Sequence, residues 1–73
     1  MHRQIDTGLD QLKEQLITMS GYVEEAIDLS IRAWRERDAG KLARVLEIED
    51  RVNAAHKDVD AICLKILATQ HPL

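Results

Sequence analysis

At 73 residues, 45% of them hydrophobic and 32% charged, the chain holds one small domain or a piece of a larger one. Its net charge of −3 and lack of a basic tract argue against nucleic acid and anionic membrane surfaces as partners. Cys63 is the single cysteine, so an intrachain disulfide is excluded and a reducing compartment fits best.

Three Gly, one Pro, no Phe, one Trp and one Tyr make a profile that suits long amphipathic helices rather than a sheet. No apolar h-region follows Met1, His2 and Arg3, and no apolar run is long enough to span a membrane. A single core at this length rarely supplies more than about 3–5 kcal/mol of net stability. A further source is therefore expected: a bound metal, a missing helix or a second copy.

From Ile5, apolar residues recur at Leu9, Leu12, Leu16, Met19, Val23, Ala26 and Ala33 in alternating steps of four and three, with Ser30 as the one break. This spacing predicts helix 1 over about residues 3–36, with Gly21 on its outer side. Arg37, Asp38, Ala39 and Gly40 read as the turn, and Asp38 is a good N-cap. Val45, Ile48, Val52, Ala55, Val59, Ile62 and Ile66 then repeat the pattern. Pro72 cannot continue a helix and biases His71 away from the α region, so helix 2 is predicted over about 39–70. A short connection between two long helices predicts an all-α antiparallel hairpin.

Each helix carries a second apolar line. On helix 1 it is Ile17, Ile27, Ile31 and Trp34, interrupted by Ser20 and Glu24; on helix 2 it is Leu42, Leu46, Cys63 and Leu67. One hairpin cannot cover two stripes per helix, and so wide a face implies at least one more helix.

Between the apolar residues of helix 2's second line stand Glu49, Asn53, His56 and Asp60, spaced by four, three and four. On a helix they fall within roughly 60° of one another and form one polar line. It reads either as a row of metal ligands or as a solvated shoulder.

The ordered motifs resemble the PhoU family of phosphate-signalling regulators. The similarity begins at Ile5 to Leu12 and is clearest from Met19, Ser20, Gly21, Tyr22, Val23 and Glu24 to Ile27, which is similar to the family's Met-Gly-x-x-Val-Glu-x-x-Ile stretch. It continues through Ala33, Asp38 and the run from Ala43 to Glu47. Glu49 and Asn53, with Val52 between them, fall on the family's acidic-x-x-x-Asp/Asn motif, and the run from Cys63 to Ala68 with Pro72 resembles the end of its second helix. The resemblance covers essentially all of residues 1–73. It implies two tandem three-helix bundles, of which this chain resembles only the first two helices of the first, so a truncated gene product or fragment is expected.

The resemblance makes Glu49 and Asn53 metal ligands, against the plainer reading of a solvated helix edge. Two oxygen donors are too few for a tight site. His56 stands where PhoU-like sequences usually carry an acidic residue. As a ligand it would shift preference toward zinc, nickel or iron(II) over magnesium. The plainer reading, a partly buried His56 hydrogen-bonded to Asp60, is preferred. Glu24, nearly level with Asn53 when counted from the turn, is a facing ligand, a hydrogen-bonding partner for His56, or half of a salt bridge with Arg51 or Lys57. Cys63 reads as a small core residue and Trp34 as the anchor of the hairpin end.

No catalytic residue is expected. The Glu-x-x-His pairs of diiron bundles are absent, as are a nucleophile with its base and a Gly-rich phosphate loop, and no organic cofactor is implied. The resemblance implies a cytoplasmic, non-enzymatic regulator at the inner membrane face, coupling a phosphate ABC transporter to a sensor histidine kinase. The uncovered second lines predict a homo-oligomer, most simply a two-fold dimer forming a four-helix bundle. The alternative is a helical-hairpin interaction module with no metal and no phosphate role.

Overall fold

The computed structural model describes residues 2–70, with side chains described for residues 6–69. It contains α1, His2–Glu36, and α2, Ala39–Gln70, packed side by side as an antiparallel hairpin whose longest Cα extent is 56 Å. Among the described residues there is no strand. Both helices match the predicted spans within a residue, and the turn contracts to Arg37 and Asp38 alone. The expectations for His71 and Pro72 lie outside the described residues, as does the side chain of Ile5.

The chain reversal is built from two caps that share one residue. Arg37 takes the left-handed conformation, φ 53°, that ends α1, and the Asp38 N–H donates back to the Ala33 carbonyl at 3.1 Å, the closing bond of a Schellman turn. Asp38 then serves α2. Its carbonyl accepts from the Leu42 N–H at 3.2 Å, and its Oδ1 accepts from the N–H groups of Gly40 at 2.9 Å and Lys41 at 3.3 Å. Two of the orphan donors at the start of α2 are thereby satisfied, as the N-cap reading requires. Lys41 Nζ closes the corner by pairing with Glu36 at 3.0 Å and Asp38 at 3.2 Å.

The seam of α2 is the expected one. Val45, Ile48 and Ala55 are buried, with Val52, Val59, Ile62 and Ile66 half-buried, and Ile48 is fully enclosed at 0% exposure. On α1 the seam is turned. Leu12, Met19, Ala26 and Ala33 face α2 as expected, but their companions are Gly8, Gln15, Tyr22 and Leu29. Leu9, Leu16 and Val23, expected in the seam, stand beside it and are 38–48% exposed. The apolar surface of α1 is three positions wide, and a single partner helix takes only one edge of it. Gly8 brings the backbones close at the open end, where a Cβ would stand 2.9 Å from Cγ1 of Ile66. Gly21 faces open space, on the outer side as predicted.

The two flanks of the seam differ in character. One is polar and closed across the helices: Arg44 pairs with Glu25 at 3.7 Å, and the Arg51 guanidinium lies over the Tyr22 ring at 6.0 Å. The other is open and carries the second apolar lines, with Ile17, Ile27, Ile31, Trp34, Leu42, Leu46 and Leu67 all exposed.

Candidate functional site

The open flank brings the ligand-type line of α2 beside the apolar line of α1. Midway along the hairpin a groove is lined by Val23, Ala26, Ile27, Ser30 and Ile31 from α1 and by Glu49, Val52 and Asn53 from α2. Glu49 and Asn53 thus lie together at the edge of an apolar trough, as their spacing requires. Ser30 keeps its hydroxyl within its own helix, donating to the Ala26 carbonyl at 2.7 Å.

One turn further on, His56 Nδ1 and Asp60 Oδ2 are 3.6 Å apart, with side chains 64% and 63% exposed. The two groups are neighbours, as the plainer reading holds, but the distance is too long for a hydrogen bond and His56 is solvated rather than partly buried. A residue at this helical position turns toward a third layer, which two helices do not supply.

Glu24 does not reach this groove. It lines a shallow depression on α1 with Lys13, Leu16, Ile17, Ser20 and Gly21. Among the described residues it makes no ion pair, so the bridge to Arg51 or Lys57, one of its three readings, is not formed; Arg51 lies over Tyr22 instead. Trp34 does not anchor the hairpin end either. It is 83% exposed, beside a hollow to which α2 contributes only Ala39 and Leu42. Cys63 is a free, half-buried cysteine at the edge of the seam.

Glu49, Asn53, His56 and Asp60 form one row on one helix, and among the described residues no three His, Cys, Asp or Glu side chains converge as a metal site needs. A single hairpin therefore presents an edge of donors rather than a closed coordination sphere. The sequence signal missed most clearly is the closed flank, where Glu25, Arg44, Tyr22 and Arg51 tie the helices together. Their opposite charges and antiparallel register were its only trace.

A rod of two helices with one tied flank and one open apolar flank is the architecture of a helical-bundle element that works by packing against further helices. The PhoU domain family model matches residues 16–73, and the chain belongs to that family. It is 30% identical over 96% of its length to the phosphate-specific transport system accessory protein PhoU homolog of Pseudomonas aeruginosa, and covers 29% of that protein. It is 30% identical over 94% of its length to the phosphate-specific transport system accessory protein PhoU of Escherichia coli, covering 29% of it. The homolog from Aquifex aeolicus is 28% identical over 88% of the chain, and 29% of that protein is covered. The chain thus spans less than a third of the length of these relatives. No solved structure gives a significant match to it. Among the described residues, no helix is long and apolar enough to cross a membrane.

Proposed function

We propose that this chain is the first helical hairpin of a PhoU-type regulator of phosphate uptake and phosphate-starvation signalling, acting by protein contact and not as an enzyme. The observation that carries the reading is the family match over residues 16–73, laid on a hairpin whose open flank lacks a covering helix. In this role the flank packs against a further helix or a second copy, and the completed bundle meets a phosphate ABC transporter and a sensor histidine kinase at the cytoplasmic face of the membrane. The relatives' names support the link to phosphate transport; the partners follow from the family resemblance.

In the same reading Glu49 and Asn53, with His56 and Asp60 one repeat further on, form part of a ligand row for a divalent or transition metal: iron, zinc, nickel or magnesium. Because one hairpin supplies only an edge of donors, further oxygen or nitrogen ligands must come from the element that covers the groove. When bound, the metal would cross-link that element to α2. The residues of this chain do the rest: Val23, Ile27 and Ile31 wall the trough, and Glu49 brings negative charge to its edge.

A chimera tests the regulatory reading. The corresponding segment of the Escherichia coli relative is replaced by this chain, and a phosphate-starvation reporter is measured in cells lacking the native copy. Restored repression in phosphate-replete medium is expected. A folded chimera that leaves the reporter fully induced would leave the hairpin as a packing module without a phosphate role.

A further inference from the structure

Half of the basic residues of an acidic chain lie at one end of the hairpin. Residues 31–45, which form the chain reversal and the adjoining turns of both helices, hold five basic residues and two acidic ones. The remaining residues hold five basic and eleven acidic, a net −6. The overall charge of −3, which by itself argues against an anionic membrane surface, conceals this polarity. Arg32 is paired with Asp28, Lys41 with Glu36 and Asp38, and Arg44 with Glu25 and Glu47. Among the described residues Arg35 and Arg37 have no carboxylate partner. Beside them Trp34 is 83% exposed, and Trp34, Arg37 and Leu42 line one hollow at the chain reversal.

We propose that this end of the hairpin docks on an anionic lipid surface, with Trp34 at the headgroup level and Arg35 and Arg37 against the phosphates. A Trp ring with an apolar body and one polar N–H prefers the membrane–water interface, and unpaired arginines beside it are attracted to anionic headgroups. Size favours lipid over an acidic protein as the occupant. Across the hairpin alone the Cα atoms span only 15 × 11 Å, an end far smaller than the roughly 800 Å² per partner of a stable protein interface. A fluid headgroup layer needs only a few anchors. The rod then stands end-on, its acidic remainder held away from the anionic surface, and nothing crosses the bilayer.

Trp34 is the single tryptophan and reports its own environment. The full chain is titrated with vesicles of phosphatidylglycerol and phosphatidylcholine in equal parts, and separately with phosphatidylcholine alone. Trp34 emission and co-sedimentation are both read. A blue shift with co-sedimentation is expected on the anionic vesicles only, reversed by high salt. Arg35→Gln with Arg37→Asn should weaken binding about 25-fold, or about fivefold for each arginine removed. Arg37→Asn suits the left-handed φ, and circular dichroism checks that the variant keeps its helices. Trp34→Ala, read by co-sedimentation, should also weaken binding. Equal binding to both vesicle types, binding unchanged in the double variant, or no binding to either would overturn the proposal; the last would leave the basic end to a protein.

Discussion

Gly8 and Ile66 meet across the open end of the hairpin so closely that a Cβ on Gly8 would stand 2.9 Å from Cγ1 of Ile66. Gly21 has nothing within 4 Å of where its Cβ would be. Both lie inside α1, so replacing either by Ala recovers the same helix propensity, roughly 1 kcal/mol. Gly21→Ala should therefore stabilise by about that amount. Gly8→Ala should lose the gain to crowding, which typically costs about 1–3 kcal/mol. Chemical denaturation of the two variants checks this, and equal stabilisation would show that the helices part freely at Gly8.

Among the described residues Ile48 is the one large side chain with no exposure at all. Ile48→Val should cost about 0.5–1.5 kcal/mol and Ile48→Ala about 2–5, enough to unfold so small a core. Far-ultraviolet circular dichroism at 25 °C would show the Ala variant largely unfolded and the Val variant folded.

Asp38 and Lys41 set opposite ends of a pH profile. The hydrogen bond from the Lys41 ammonium, followed by the Lys41 and Gly40 N–H groups, holds the Asp38 carboxyl below its ordinary 3.8. Glu36, then Asp38, raise Lys41 above 10.5. A carboxyl with a lowered folded value adds stability that is complete above its unfolded value and is lost as pH falls through the folded one. An ammonium with a raised folded value adds stability below its unfolded value, lost as pH rises through the folded one. Asp38→Ala should lower Tm by several degrees at neutral pH, Asp38→Ser by much less, and the deficit of the Ala variant should shrink as pH falls well below 3.8. A deficit independent of pH would mean that the charge plays no part in the cap.

The ends of both helices at the turn were legible because Asp38 stands where one helix must stop and another begin. The inner line of α2 was legible because it is aliphatic and evenly spaced. The phase of α1 was not. Leu9, Leu16 and Val23 outrank Gly8, Gln15 and Tyr22 in hydrophobicity, and a periodicity count places the stronger residues in the seam. Yet the partner takes the edge where Gly8 allows close approach and Tyr22 meets Arg51, leaving the stronger edge to another layer. Trp34 misled for a related reason, since size suggested an anchor where α2 offers only Ala39 and Leu42. The spacing of Glu49, Asn53, His56 and Asp60 correctly placed them in one row, but a row on one helix says nothing of the ligands that must face it.

If that row binds metal in the assembled protein, Glu49→Gln together with Asp60→Asn should lower metal content without lowering helicity, because the shapes are kept and two charges removed. Metal analysis of chelator-free protein, with circular dichroism alongside, decides. Unchanged stoichiometry would place any metal elsewhere.

The open flank should drive self-association of the isolated chain. Burial of a large aliphatic side chain contributes roughly 1.5–3 kcal/mol, and Ile27, Ile31, Leu46 and Leu67 are all exposed on that flank. Sedimentation equilibrium at micromolar concentration should give twice the 8.3 kDa chain mass, and Ile27→Lys with Leu46→Lys should return it to one. A well-folded wild-type species of 8.3 kDa would show that the flank tolerates water.

The doubly used Asp38 has a kinetic corollary. With both caps at one corner, the shortest loop to close lies beside the turn, and each later contact between the helices spans only a little more chain than the one before. Such a hairpin should zip outward from residues 36–41 and fold quickly, since its entropy of closure is spent in small steps. Opening should run in the opposite order. Amide exchange should be fastest around Gly8 and Ile66 and slowest near Val45 and Ile48, so the end farthest from the turn is where a joining helix finds the backbone most ready to yield.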